Sequence, residues 1–196
     1  ASSIVLSEEA IKGLLGELMF LKNHLIPLYG SRNAVSFWQG PAGYPQDFAV
    51  NGCAIEVKCH EGSRSSKIFI SSADQLCSRL PDTYLFVYIV GKSTPENLGS
   101  INLLSVVSEI RKEINAAGGE ALAAFEGLLD SVGYIDLPRY SELIYVITDN
   151  VMYKIENNFP RICSANLMLG VSDVSYRIDL NQCNDFQGRP DWMVNR

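Results

Sequence analysis

The sequence predicts an α/β fold built around a mixed central sheet, and three observations carry that expectation. Ser7, Glu8 and Glu9 open a long apolar stripe at helical spacing. Several short apolar or alternating runs follow, two of them joined by Asn51-Gly52. Residues 84–90 (YLFVYIV) are apolar on both faces, which suits a strand covered on two sides.

Each element has a local reason. The Ser7 hydroxyl suits a helix cap, and Glu8 and Glu9 suit the positive end of the helix dipole. Ile11, Leu14, Leu18, Leu21 and Leu25 predict a helix over about 8–28, ended by Pro27 and Gly30. Glu17 falls on the edge of that stripe, at the border of the core. Strand patterns occupy 35–38, 47–50, 54–59, 67–70 and 84–90. Before the last of these, Ser72-Ala-Asp-Gln75 reads as a capping box opening a short helix to about Leu80. Helical patterns cover 101–115 and 120–131, broken by Gly118-Gly119. Residues 143–148 and 151–155 flank Asp149-Asn150 as a hairpin, and Val174, Tyr176, Ile178 and Leu180 alternate as a strand. The expected layout is a core over 1–95 with a C-terminal α+β elaboration over 96–196 packed on it.

Composition narrows the class. A chain of 196 residues, 47% hydrophobic, can bury one good core. Its apolar runs fall far short of the roughly 20 residues a membrane-spanning helix needs, and no basic region followed by an apolar one opens the chain. A soluble, unexported, cytoplasmic protein is expected, and Ala1 in place of Met suggests a piece of a longer one. Five cysteines without a CxxC pair argue against a disulfide framework or a structural zinc site, and for a reducing compartment. A net charge of -6 opposes indiscriminate binding to nucleic acid. Residues 1–100 hold 8 basic and 9 acidic residues against 8 and 13 in 101–196, which leaves room for a local basic track in the first half.

Asn-Gly between apolar runs is the strongest short hairpin signal, because a type I′ turn needs positive φ at both central residues. With Asn51 and Gly52 in the loop, Val50 faces Cys53 and Asp47 lies opposite Glu56. Lys58 then shares the face of Glu56, while Phe48, Val50, Cys53, Ile55 and Val57 form the apolar face. Directly opposed side chains have Cβ atoms roughly 4.5 to 5.5 Å apart, so the two carboxylates repel and raise each other's proton affinity. A divalent cation would offset that repulsion, with Lys58 beside it to hold or help deprotonate water. The alternative of equal weight is a solvent-facing edge on which Lys58 neutralises Glu56 and Asp47 points to water.

Asp47 followed, after eight residues, by Glu56-Val57-Lys58 resembles the PD-(D/E)XK signature of restriction-endonuclease-like nucleases. The order of a helix carrying Glu17, the hairpin, a further strand and then Gln75 opening a helix resembles that superfamily's αβββαβ core. The run Gly16-Glu17-Leu18, Gln39-Gly40-Pro41, Pro45-Gln46-Asp47-Phe48, Glu56-Val57-Lys58, Ile70-Ser71-Ser72 and Gln75-Leu76 is similar to bacterial PD-(D/E)XK motif proteins of restriction and phage-defence gene clusters. The strong part covers about 13–90, and the stretch 174–180 is also similar to that group. Members of the group extend further at the N-terminus.

The resemblance implies a metal-dependent DNA endonuclease using Mg²⁺, with Mn²⁺ able to substitute. It implies DNA as partner, with a homodimer and other proteins of the same defence system as further candidates. Asp47, Glu56 and the Val57 carbonyl would be metal ligands, and Lys58 would position or activate water. Glu17 resembles the first-helix acid found near the metal, and Gln75 resembles the glutamine that RecB-type members place after the active-site strands. Arg79 stands where those members have tyrosine, and Gln46 replaces the proline of the name motif. Each supporting residue has a plainer reading: Gln75 as capping-box partner, Glu17 paired with a buried cation, Cys53 and Cys59 as core, His24 as an ordinary helix residue, and the 61–66 loop, where Arg64 and then Lys67 could touch DNA phosphates, as a solvated turn. DNA sequence preference is not legible, since base-reading residues carry no pattern in one sequence. The competing function is a non-cleaving DNA-binding or assembly subunit on the same fold, which the acidic charge favours.

Overall fold

Ser7 caps the first helix as its position predicts, its hydroxyl accepting from the Ala10 N–H at 3.1 Å. The computed structural model describes residues 5–194, and the helix, α1, spans Glu8–Phe20. The predicted stop at Pro27 does not occur. A widened π turn over Leu21–Leu25 leads into α2, Ile26–Phe37, with Pro27 in its first turn, where a missing N–H is tolerated. Gly30, at φ 75° and ψ 161°, is non-helical, so the first helical run ends here as expected, and the rest of α2 is a separate helical stretch beyond the break. Residues 35–37, read as the start of a strand, are therefore helical, and Trp38 forms only an isolated bridge to Phe48. Ser31, Ala34, Val35 and Trp38 are all buried, and their spacing is helical.

Among the described residues seven strands follow: β1 Phe48–Val50, β2 Cys53–Glu61, β3 Lys67–Ile70, β4 Asp82–Lys92, β5 Ser100–Ile101, β6 Tyr145–Lys154 and β7 Tyr176–Asp179. Five of them form one mixed sheet in the order β1-β2-β4-β6-β5, with β2 and β4 parallel and the other pairs antiparallel. The α/β class and the mixed sheet agree with expectation. The details of the β2–β4 crossover do not. β3 leaves the main sheet to pair with β7, and the helix predicted from Ser72 is a single turn over 73–76. The chain leaves that turn at Cys77, which is joined to Cys163, before it reaches Pro81.

Helices α3, Leu103–Asn115, and α4, Gly119–Ser131, form where predicted. The hairpin predicted around Asp149-Asn150 does not form, because both residues lie inside the continuous strand β6. A bulge absorbs them: Ile89 pairs with Asp149 and Val90 with Ile147, so Thr148 is the extra residue, and its hydroxyl donates to the Ile89 carbonyl.

The sheet separates two cores. On the helical side, Leu18 and Phe20 pack in one cluster with Phe48, Val50, Ile55, Phe86, Val107 and Phe125. On the opposite side, Leu85 and Val87 are covered by Ile68 and Ile70 of β3 and by Ile178 and Leu180 at the end of the chain. Alternation along β2 and β4 assigns each residue to one of these two faces. Among the described residues no helix is long and apolar enough to cross a membrane.

The Cys77–Cys163 disulfide corrects the expectation that the cysteines stand free, while Cys53, Cys59 and Cys183 are unpaired thiols. Its partners are 86 residues apart, a separation that no local spacing signals. Protein purified without reductant and then denatured should react with a thiol reagent at three cysteines. Five reactive thiols would remove the disulfide from the fold.

Candidate active site

Asn51 at φ 48° and Gly52 at φ 78° make the tight turn, and Phe48 pairs with Ile55, Ala49 with Ala54 and Val50 with Cys53. This is the register counted from the sequence. Asp47 lies one residue before β1 and turns its carboxylate onto β2, where Oδ2 accepts from the Val57 N–H at 2.8 Å. The Asp47 carbonyl accepts from the N–H groups of Gln39 and Gly40, at 2.8 and 3.0 Å, so both its main chain and its side chain are held.

Glu56 and Lys58 share the face of β2 opposite the helical core, and Lys58 Nζ stands 3.0 Å from Glu56 Oε1. Glu56 is only 2% exposed. The pairing of Lys58 with Glu56 expected in the solvent-facing alternative forms, but its solvent-facing edge does not, since Glu56 is buried.

Gly16 allows α1 to settle tightly on β2: a Cβ there would stand 3.1 Å from the Cys59 Cβ. The close approach brings Glu17 to the same site, where its Oε2 accepts from the Trp38 indole N–H at 2.7 Å. Gly40 backs onto both acids. A Cβ on it would meet Asp47 Oδ1 at 3.0 Å and Glu17 Oε2 at 3.5 Å. From the β2–β4 crossover comes Gln75, whose Oε1 accepts from Lys58 Nζ at 3.1 Å and from the Ser71 N–H at 2.9 Å. Its reach back to a backbone amide survives from the predicted capping box, although no helix follows. Glu17, Asp47, Glu56, Lys58 and Gln75 all line one cleft of about 450 Å³.

The electrostatics of the cleft are unbalanced. Burial, and then the charge of Asp47, push Glu17 well above the usual carboxylate range, against the Trp38 hydrogen bond. Burial pushes Asp47 up to about 6, opposed by the Val57 N–H and by Lys58. Glu56 is also raised well above its ordinary value, by burial first and Asp47 second, with Lys58 opposing. Its Oε2 is buried and has no hydrogen-bond partner among the described residues. Three carboxylates thus share one close ammonium group, and one carboxylate oxygen, Glu56 Oε2, is left unpaired among the described residues.

Such a donor set suits a hard divalent cation. Among the described residues no group of three or more His, Cys, Asp and Glu side chains is placed to hold a metal ion by itself. A cation here would rest on two carboxylates, a main-chain oxygen and water, which is the habit of Mg²⁺.

The remaining candidates fall outside this cluster or take other roles. Cys53 is buried in the helical core, and Cys59 packs against it. Arg64, considered for DNA phosphates, pairs instead with Glu61 at 2.9 Å. His24 packs among Phe20, Phe86 and Tyr88, and burial lowers its pKa to about 4. Sequence reasoning missed Trp38 as the partner of Glu17. It also missed Gln46, whose Nε2 lies 2.6, 3.2 and 3.3 Å from the carbonyls of Asp74, Gln75 and Cys77 and so ties Asp47 to the turn carrying Gln75. A lone glutamine before an aspartate gives no signal of a partner thirty positions on.

Neither a curated protein nor a solved structure matches the chain. Residues 1–181 match the family described as "Putative PD-(D/E)XK family member, (DUF4420)". PD-(D/E)XK proteins have a nuclease-like fold and generally use divalent metals. With Asp47, Glu56, Val57 and Lys58 inside a match that spans most of its length, the chain belongs to this PD-(D/E)XK family.

Proposed function

We propose that the protein is a metal-dependent DNA endonuclease of a restriction or phage-defence system. The observation that carries this reading is the convergence of Asp47, Glu56 and Lys58 in one cleft, with Glu56 Oε2 buried and unpartnered. In this reading 1–95 form the catalytic core and 96–196 elaborate it.

Asp47 and Glu56 would hold the cation, Mg²⁺ or Mn²⁺, together with the Val57 carbonyl. The N–H and C=O of one strand residue point to the same edge, and the Val57 N–H already meets Asp47 there. When bound, such a cation supplies charge stabilisation at the scissile phosphate and a lower pKa for the attacking water. Lys58, fixed between Glu56 and Gln75, places its ammonium group where it can orient that water. Gln75 therefore acts by aiming Lys58. Glu17, held by Trp38, stands beside Asp47, where a bound cation would draw it into its charged form. DNA is the proposed partner, with a second copy or other proteins of the same system completing the assembly.

Isothermal titration with Mn²⁺ should show binding to the wild type and its loss in Asp47→Ala. Lys58→Ala should still bind the metal but cleave DNA roughly a hundredfold more slowly or worse, the scale of a positioned acid–base group. Metal binding without cleavage by the wild type would favour the non-cleaving subunit. Absence of metal binding, with DNA present, would end the nuclease reading.

The raised Asp47 pKa gives a pH test with a definite sign. Unfolded, Asp47 releases its proton near 3.8; folded and metal-free, it keeps it up to about 6. Its contribution therefore favours the fold below the unfolded value and is lost as the pH rises through about 6. A cation that needs the carboxylate gains affinity over the same interval. Mn²⁺ should raise the unfolding temperature more at neutral pH than at pH 5, and Asp47→Asn should remove most of the rise at both. An equal rise at both pH values would detach Asp47 from the metal.

A further inference from the structure

The β3–β7 ribbon does more than cover the second core. Its inward residues, Ile68, Ile70 and Ile178, are buried, whereas Lys67, Phe69 and Arg177 face outward and line the same cleft as Asp47 and Glu56. Phe69 is 46% exposed. It lies directly opposite Arg177 in the ladder, and the guanidinium carbon stands 5.6 Å from the ring centroid. Among the described residues neither Lys67 nor Arg177 forms a salt bridge.

A ring needed only for packing would occupy the inward face, where Ile68 and Ile70 sit. Phe69 instead presents an aromatic surface, backed by a cation, on the wall of a cleft whose floor carries carboxylates. Aromatic rings and guanidinium planes both stack on nucleobases, and do so without regard to base identity. Such stacking requires a base whose face is free, which a base inside a duplex does not offer. Charge points the same way. A chain of net charge -6 has no excess of positive charge for the many phosphate contacts that hold duplex DNA, whereas stacking gives affinity independent of charge.

We propose that Phe69 and Arg177 form a stacking platform for an unpaired nucleobase, next to the phosphate that enters the carboxylate cleft. The substrate class is then single-stranded or locally unpaired DNA. This inference rests on the nuclease reading and narrows it. Lys67, on the same outward face, is placed to meet the adjoining phosphate.

Fluorescence anisotropy with a labelled single strand, and with the duplex of the same sequence, tests the platform when Ca²⁺ replaces Mg²⁺ to suppress cleavage. Wild type should prefer the single strand. Phe69→Ala should weaken single-strand binding about tenfold, the scale of one lost base stack, and leave duplex binding unchanged. Phe69→Trp, which keeps a stacking surface, should retain it, and Arg177→Ala should weaken it. Unchanged single-strand affinity in Phe69→Ala, or equal weakening for both DNAs, would overturn the platform. Cleavage by the wild type with Mg²⁺ separates the two claims. If DNA is cut while Phe69→Ala binds the single strand normally, only the platform fails; if wild type neither binds nor cuts either DNA, both fail.

Discussion

Because Asn51 and Gly52 both take positive φ, β1 and β2 meet in the register that sets Val50 against Cys53. The whole site depends on that pairing. A slip of one residue would turn Glu56 and Lys58 into the helical core and Ile55 and Val57 out of it, since strand side chains alternate with period two. A lone carboxylate in an apolar core costs several kcal/mol even after relaxation, so the apolar face of the hairpin guards the polar one. The same register carries Asp47, just beyond the ladder, to the Val57 amide.

The acids of the cleft are then held by groups from separate parts of the chain. Trp38, at the end of α2, supports Glu17 on α1; the β2 backbone supports Asp47; Lys58 supports Glu56. Gln46 and Gln75 join the approach to β1 to the crossover turn, so the position of Lys58 depends on both. These contacts fix geometry, and among them only the Lys58 ammonium group offsets charge. Three carboxylates remain raised in pKa around one ammonium group. Perturbed acids gathered in a cleft mark functional sites more often than structural ones, and here the imbalance has the sign that a cation corrects.

What was legible in the sequence was local. The cap and stripe of α1, the Asn-Gly register and the doubly apolar β4 each follow from a few neighbouring residues, and the first two sufficed to bring Asp47, Glu56 and Lys58 together. The misreadings arose where distant contacts override local pattern. Residues 35–38 looked extended because their helical period begins at Ser31, beyond the Gly30 kink. The turn around Gln75 ends at a cysteine joined to Cys163, so its capping signal never propagates into a helix. Asp149-Asn150 carries a turn signal, yet a bulge against β4 accommodates it within one strand. Trp38, Gln46 and Arg177 reach the site through tertiary packing alone.

In the proposed mechanism the Asp47–Glu56 cleft holds a divalent cation beside Lys58. Anomalous diffraction from crystals grown with Mn²⁺ addresses it most directly, since the peak locates the ion without reference to activity. The account predicts one strong peak between the Asp47 and Glu56 carboxylates, on the Val57 side of β2, which disappears in Asp47→Ala crystals. A peak elsewhere with this cleft empty, or the same peak in the Asp47→Ala protein, would contradict it.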